Sequence, residues 1–373
     1  MDIKDKKTFE LFQDWVKTQQ AHPDRKILII HDADGDGLSA AKILTEGLQK
    51  LGIKAHFRFA GYERTNLFGE FLLDFIENRH VETVFTCDIN LFATNYKTQE
   101  EKLKQKQFIV FDHHETPEEI PSNILYLHPV RTLGFPDPSR YCTSKLVYDI
   151  MGEFTDLSAL DWVACIGIVA DVGYGTWKEF VDKTLQRLHL DPAKAPFDTE
   201  LQKVGTRLYY ALAMEREDAK KAIDIYLKAR DYQEALEKLQ NYDIVGEEIN
   251  KYLNTWKEYA QIGDTVIFIR IEPKYKIGSM ISSRVSFQHP DKTIILVCPS
   301  KIEKGLLTLS LRRQDGKVNL PQILHSMQKE IPGMIGGGHI QASGAKCQEK
   351  DYELFKEMFI RLQDSPVGQI ANV

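Results

Sequence analysis

An α/β protein, with a parallel sheet in its first half and a smaller β-rich unit near its end, is what the sequence predicts. Short runs rich in Ile, Val and Phe alternate with apolar stretches at helical spacing up to residue 112, and a second set of such runs begins at residue 264. Strands that alternate with helices imply right-handed crossovers and therefore parallel pairing.

In the first half KILIIH (26–31), KAHFRF (54–59), TVFTCD (83–88) and QFIVFD (107–112) read as strands. Helices are expected over Leu38 to Leu51 and Phe68 to Asn78. Ser158 to Asp171 is mostly apolar, as a buried helix would be, and ends at Asp171-Val172-Gly173-Tyr174-Gly175. From Trp177 to Tyr259 the chain is charged and helical, with a Pro-rich interruption at Asp191 to Phe197. This span reads as a helical connector whose charge runs, such as Glu215 to Lys221, form a solvated face. Beyond it DTVIFIRI (264–271), KTIILVC (292–298) and GLLTLSLRR (305–313) read as strands. Helices are expected near Ser279 to Phe287, Leu320 to Gln328 and Asp351 to Leu362, with the run Ile335-Gly336-Gly337-Gly338-His339 between the last two.

The 373 residues leave room for two domains, and 43% hydrophobic with 27% charged content is that of a globular chain. A net charge of −6 argues against a broad basic surface for duplex DNA but leaves room for a local basic groove. Five scattered cysteines (Cys87, Cys142, Cys165, Cys298, Cys347) without a CxxC pair suit reduced, buried thiols. The N-terminus lacks the apolar core of a signal peptide, and no apolar run approaches membrane-spanning length. A cytoplasmic location away from membranes is expected.

The chemistry concentrates at strand ends. Three of the four early strands finish in polar clusters: His31-Asp32, Asp88 and Asp112-His113-His114. In parallel sheets, ligands bind beyond the carboxyl ends of the strands. Asp32, Asp34 and Asp36 alternate through HDADGDG, with Gly35 and Gly37 expected to permit a tight turn. Carboxylates packed this closely repel unless a cation lies between them. With Asp88, His113 and Asp171 the donors mix carboxylate and imidazole, which suits Mn²⁺ better than Ca²⁺. Without thiolates, structural zinc is disfavoured. So many donors exceed the need of one ion with open positions, whereas two ions sharing a bridging carboxylate would use them, as in displacement at phosphorus. Taken singly, each piece has a plain reading: a turn, a helix cap or paired surface histidines.

DADGDG, CD at 87–88, DHH at 112–114 and AD at 170–171 together resemble the four motifs of the DHH phosphoesterase superfamily. GGGH at 336–339 resembles the signature of its DHH-associated C-terminal domain, and the three alternating aspartates look closest to RecJ-type nucleases. The resemblance runs from Lys26 to Lys346 and implies a parallel-sheet catalytic domain over 1–176, a helical connector over 177–260 and a substrate-binding domain with a mixed sheet over 261–373. It implies that Asp32 and Asp34 hold one metal, that Asp88 bridges, and that Asp36, His113 and Asp171 complete the second. His114 would face the phosphate as charge stabiliser or proton donor, with Asp112 orienting an imidazole. Relatives with a histidine before the first acidic pair place it four residues upstream; His31 is three from Asp34, so it ranks behind Asp32 as a ligand.

For the grip on substrate, Gly336, Gly337 and Gly338 would let backbone N–H groups approach a phosphate. His339 would bond the phosphate or sugar, and Arg312 would clamp phosphate in the manner of the family's arginine. Arg313 is expected to be solvated on the other strand face, and Arg284 is the weaker candidate. Tyr62 and Phe135 are candidates for base stacking, against a plain packing role.

The resemblance thus implies a phosphodiesterase with two divalent ions, Mn²⁺ preferred and Mg²⁺ the alternative. It would hydrolyse single-stranded DNA or RNA from an end, most simply as a 5′–3′ exonuclease on DNA, with replication or repair proteins as further partners. The alternative within the same chemistry is a hydrolase of short oligonucleotides, of nucleoside bisphosphate or of a cyclic dinucleotide. It is favoured by a sequence after Lys346 that suggests no oligonucleotide-binding barrel. A polyphosphatase and a non-catalytic replication scaffold rank lower; degenerate scaffolds lack the ligands that this chain retains.

Overall fold

The structure, a computed structural model, describes residues 3–61, 64–192 and 198–370. Helix α1 (Lys6–Ala21) leads into β1 (Lys26–His31), α2 (Gly35–Lys50), β2 (Phe57–Ala60), α3 (Glu70–Asn78), β3 (Val81–Cys87), α4 (Glu100–Leu103), β4 (Gln107–Phe111) and β5 (Ile124–Leu127). The strands are parallel throughout, in the order β2-β1-β3-β4-β5. Strand β5 is an addition to those read from sequence, because four residues are too few for periodicity to mark. Strand β2 begins later than the expected residue 54. The Ile27 N–H goes to Nδ1 of His56 at 3.3 Å, so the ladder starts only at Leu28 opposite Phe57.

Both faces of this sheet are covered, as parallel pairing requires. Leu28, Ile30, Val84, Phe108 and Val110 pack on one face with Leu72 and Ile76 of α3. On the other, Phe111 and Phe85 meet Phe12 and Trp15 of α1 edge-on.

The chain continues through α5 (Pro129–Leu133), α6 (Thr143–Gly152), α7 (Asp161–Ala170), α8 (Tyr174–Arg187), α9 (Glu200–Leu212), α10 (Arg216–Lys228), α11 (Tyr232–Lys238) and α12 (Asp243–Thr255). Residues 1–212 with 216–240 form one compact unit, and 213–215 with 241–373 a second. Helices α8 to α11 therefore belong to the first unit and α12 to the second. Helix α10 buttresses α2 directly. The Tyr226 hydroxyl lies 2.8 Å from Ser39 Oγ, and the buried Lys42 ammonium donates to Leu227 O (3.1 Å) and Ala229 O (2.8 Å) at the carboxyl end of α10. A cation satisfies orphan carbonyls there and complements the helix dipole. Glu46, at 2.5 Å, neutralises it.

The second unit holds β6 (Ala260–Ile262), β7 (Val266–Arg270), α13 (Gly278–Gln288), β8 (Thr293–Pro299), β9 (Leu306–Arg312), α14 (Leu320–Met327), β10 (Ile335–Gly338), β11 (Ala342–Gln348) and α15 (Tyr352–Gln363). Its sheet is mixed, in the order β10-β11-β9-β8-β7-β6, with β7 and β8 parallel and the remaining pairs antiparallel. Phe268, Ile295, Val297, Leu307, Leu309 and Leu311 pack with Leu320, Leu324, Phe355 and Phe359 of α14 and α15. Among the described residues no helix is long and apolar enough to cross a membrane.

Candidate metal centre

The strand order reverses between β1 and β3, because the chain runs from β1 outward to β2 and then returns to the other side. A crevice opens beyond the carboxyl ends of strands at such a switch point. Asp32 and Asp88 are the residues that follow these two strands. Each is pinned by extending the ladder one bond past the strand: Asp32 N–H donates to Cys87 O at 3.1 Å and Asp88 N–H to Phe111 O at 3.0 Å. Asp112 repeats the device after β4, donating to Leu127 O at 3.3 Å.

Asp34 caps α2, its Oδ1 accepting from the N–H groups of Asp36 (3.1 Å) and Gly37 (3.0 Å). Asp36 lies in the first turn, and its two oxygens accept the backbone N–H groups of Thr143 (2.7 Å) and Ser144 (2.9 Å) at the start of α6. Gly35 and Gly37 serve close approach instead of the expected turn, since both lie within α2. A Cβ on Gly37 would come within 2.7 Å of Asp32 Cβ, and one on Gly35 within 2.6 Å of Ala170 Cβ. Gly35 thereby lets the end of α7, and with it Asp171, close on the motif.

Asp88 holds φ at 61°, a left-handed conformation that Asp and Asn tolerate better than other side chains. Its Oδ1 accepts from Thr143 Oγ1 at 3.0 Å and lies 3.4 Å from His113 Nε2. The other ring nitrogen of His113 is 3.7 Å from Asp171 Oδ2. Three sets of ligand atoms, each within 4.8 Å of one another, result: Asp32, Asp34 and Asp88; Asp36, His113 and Asp171; Asp88, His113 and His114. Asp88 and His113 each belong to two sets, so the sets interlock. His31 joins none of them. It is buried behind Asp32, with Nδ1 2.6 Å from the Asp32 carbonyl, and burial with the nearby Arg58 charge pushes its pKa down to about 3.

The electrostatics are those of a site built for a cation. Burial first, then the charges of Asp36, Asp34, Asp112 and Asp171, push the Asp88 pKa well up. Burial, with the charges of Asp36 and Asp34, raises Asp171 to about 7. Asp36 also shifts up, through burial that His113 and Ser144 partly offset. His113 Nδ1 is buried without a hydrogen-bond partner. An orphaned imidazole nitrogen among desolvated carboxylates is the donor chemistry that a divalent ion such as Mn²⁺ completes, so the residues fit the metals expected from sequence.

A second arrangement adjoins these sets and shares His114 with the third. His114 Nδ1 donates to Asp112 Oδ1 at 2.7 Å, and the Tyr126 hydroxyl donates to Asp112 Oδ2 at 2.8 Å. His128 Nε2 reaches the His114 carbonyl at 3.0 Å. Both oxygens of the fully buried Asp112 are therefore engaged, and the half-exposed His114 ring is oriented through its Nδ1.

Thr143, Ser144 and Tyr126 were beyond sequence reasoning. The Thr-Ser pair opening α6 after Tyr141-Cys142 is a visible helix-start signal, but nothing local ties it to residues 36 and 88.

In the second unit Arg312 ends β9, with Nε donating to Ser283 Oγ of α13 at 2.9 Å and Nη1 to Leu311 O at 2.7 Å. Arg284, the next residue on α13, is exposed. Arg313 departs from the expected solvated position. It is buried and forks onto Asp315 with two bonds of 2.8 Å, because burying a guanidinium requires a matched carboxylate. Gly336, Gly337 and Gly338 lie on the edge strand β10, paired with Ala345, Gly344 and Ser343. His339 is exposed in the turn that follows, its N–H on Ala342 O at 2.8 Å. Phe135 packs edge-on against Tyr141 and stacks on Trp177, the packing alternative to base stacking. Tyr62 lies outside the described residues.

The family profile "DHH family, N-terminal domain" matches residues 26–168. The single-stranded-DNA-specific exonuclease RecJ of Bacillus subtilis is 28% identical over 162 residues, which are 41% of this chain and 20% of that protein. Among solved structures, RecJ in complex with Mn²⁺ from Thermus thermophilus superposes with a TM-score of 0.71 at 18% identity, covering 100% of this chain and 56% of that one. An exonuclease RecJ bound to manganese gives a TM-score of 0.71 at 18% identity, covering 98% and 96%. The chain thus spans a fifth of the curated relative's length and just over half of the Thermus chain, and at these identities the structural likeness is one of fold.

Proposed function

The first part of the chain carries a DHH family domain, and from that premise we propose that the protein is a metal-dependent phosphoesterase hydrolysing single-stranded nucleic acid from an end. The observation that carries this reading is the interlocking of three ligand sets through Asp88 and His113, which suits two adjacent cations. Asp32, Asp34 and Asp88 would hold the first, and Asp36, His113 and Asp171 the second. Divalent ions held there would supply an activated water at neutral pH and counter-charge for the phosphate. Structural neighbours in complex with manganese and with Mg²⁺ support a divalent ion, of which the mixed carboxylate and imidazole donors make Mn²⁺ our preferred one and Mg²⁺ the alternative.

The chain's own residues do the remainder. Thr143 and Ser144 fix the carboxylates of Asp36 and Asp88, so the ligands do not reorganise during reaction. The Asp112 carboxylate stabilises a protonated His114, which donates through Nε2 to the departing oxygen. In the catalytic domain (1–176) no covalent nucleophile is needed. Residues 177–260 brace it through α10, and Arg312, Gly336 to Gly338 and His339 of 261–373 bind substrate phosphate, with Arg284 as an added contact. Five free, buried cysteines accord with a reducing cytoplasm.

Single-stranded DNA is favoured by the similarity to a single-stranded-DNA-specific exonuclease, and a 5′ starting point is what the resemblance to RecJ-type nucleases implies. The test is end-labelled ssDNA, ssRNA and a dinucleotide digested in parallel with Mn²⁺, using 5′-blocked and 3′-blocked strands. Mononucleotides from an unblocked 5′ end are expected. Degradation of only the 5′-blocked strand would overturn the polarity, and cleavage of only the dinucleotide would move the protein to the short-oligonucleotide class.

A further inference from the structure

A cavity of about 260 Å³ in the first unit is lined by His31 and Arg58 from the sheet and by Arg216, Lys220 and Asp224 from α10. Among the described residues that line it, the cations are Arg58, Arg216 and Lys220 and the one carboxylate is Asp224, in a chain of net charge −6. The cavity sits at the carboxyl edge of the sheet, where Ala60 of β2 pairs with His31 and His31 precedes Asp32. It thus adjoins the candidate metal centre without sharing its ligands.

Ordinary surface charge would give exposed residues from one helix face. Arg216 and Lys220 fit that description, one turn apart on α10, and Lys220 also pairs with Glu217 at 2.7 Å. Arg58 comes instead from β2, and about a third of its side chain is exposed. It spends one N–H on Asp224 at 2.8 Å, and a guanidinium has five. Among the described residues the others have no protein acceptor. Burial lowers the Arg58 pKa, and Asp224 offsets this only in part. An Arg with donors to spare, flanked by two further cations, is matched by the oxygens of a phosphate.

We propose that this cavity is a subsite for a substrate phosphate other than the one being cleaved. The inference rests on the nucleic-acid reading above, and a free phosphate ion shares the same chemistry. Binding is therefore measured on the whole chain in EDTA, which keeps the metal centre out of the reading. The probes are inorganic phosphate and a fluorescein-labelled single strand of about ten nucleotides, over a range of salt. Single strands lose about 0.7 of slope in log K against log salt for each phosphate contact removed. Lys220→Glu, at an exposed position that folding does not need, and Arg58→Gln are each expected to weaken strand binding about ten-fold and flatten that slope. Loss of inorganic phosphate binding with unaltered strand affinity would overturn the assignment to the strand, and no change with either probe would overturn the site. A wild-type chain that binds the strand through these residues but cleaves nothing with Mn²⁺ would count against the metal-centre reading and leave the subsite standing.

Discussion

Replacing Asp88 by Asn is expected to stabilise the metal-free protein while removing most of the stabilisation that Mn²⁺ brings. Asp88 is buried, and its carboxylate lies within 4.8 Å of ligand atoms of both Asp32 and Asp34. At an effective dielectric of about 20, two like charges at that separation repel by roughly 3 kcal/mol. Burial and this repulsion are what push the Asp88 pKa up, and an uncharged amide that relieves part of the repulsion is worth about 1–2 kcal/mol. For a unit of this size that corresponds to a rise in Tm of about 2–8 °C. Asn suits the left-handed backbone at position 88, and its amide oxygen still accepts from Thr143 Oγ1. Calorimetry of both proteins, in EDTA and in saturating Mn²⁺, reads the effect. The variant should melt higher in EDTA and lower in Mn²⁺. A variant that melts lower in EDTA, with equal gains from Mn²⁺ in both proteins, would refute the picture of a repulsive, cation-seeking cluster.

Asp171 titrates at about 7 in the folded protein against 3.8 away from these neighbours, so folding favours its protonated form. Its contribution to the metal-free protein is full below pH ~4 and is lost as pH rises towards 7; urea midpoints in EDTA should fall across that window, and less so in Asp171→Asn. Thr143→Val removes the hydroxyl that holds Asp88 and should weaken Mn²⁺ binding about 10- to 100-fold by calorimetric titration, with near-UV circular dichroism unchanged. Lys42→Met strips the Leu227 and Ala229 carbonyls of their donor and should cost about 1–3 kcal/mol in urea denaturation, whereas an unchanged midpoint would deny α10 its bracing role.

The first sheet was legible because its strands are apolar runs that stop abruptly at acids, as IIHD, TCD and VFDHH do. That same abruptness marked Asp32, Asp88 and His113, since a charge straight after a buried strand needs a reason to be there. What escaped notice is held by contacts distant in sequence. Thr143 reaches residues 36 and 88, Tyr126 reaches 112, and Arg58 meets α10 across 166 residues. Strands β10 and β11 were missed because glycine, alanine and serine carry no hydrophobic period, and β10 draws its order from pairing alone. Arg313 was misjudged because strand alternation assigns a face, whereas Asp315, two residues on, decides that the guanidinium can be buried.

The central claim is that the Asp–His cluster hydrolyses phosphodiesters of single strands through divalent metal, and stripping and reloading the protein tests it most directly. After dialysis against EDTA, a 5′-³²P-labelled single strand should remain intact. Added Mn²⁺ should restore release of labelled mononucleotide, Ca²⁺ should restore far less because its longer, looser shell misplaces the ligands, and Asp88→Ala should stay inactive with Mn²⁺. Full hydrolysis in EDTA, or an Asp88→Ala protein as active as the wild type, would contradict it.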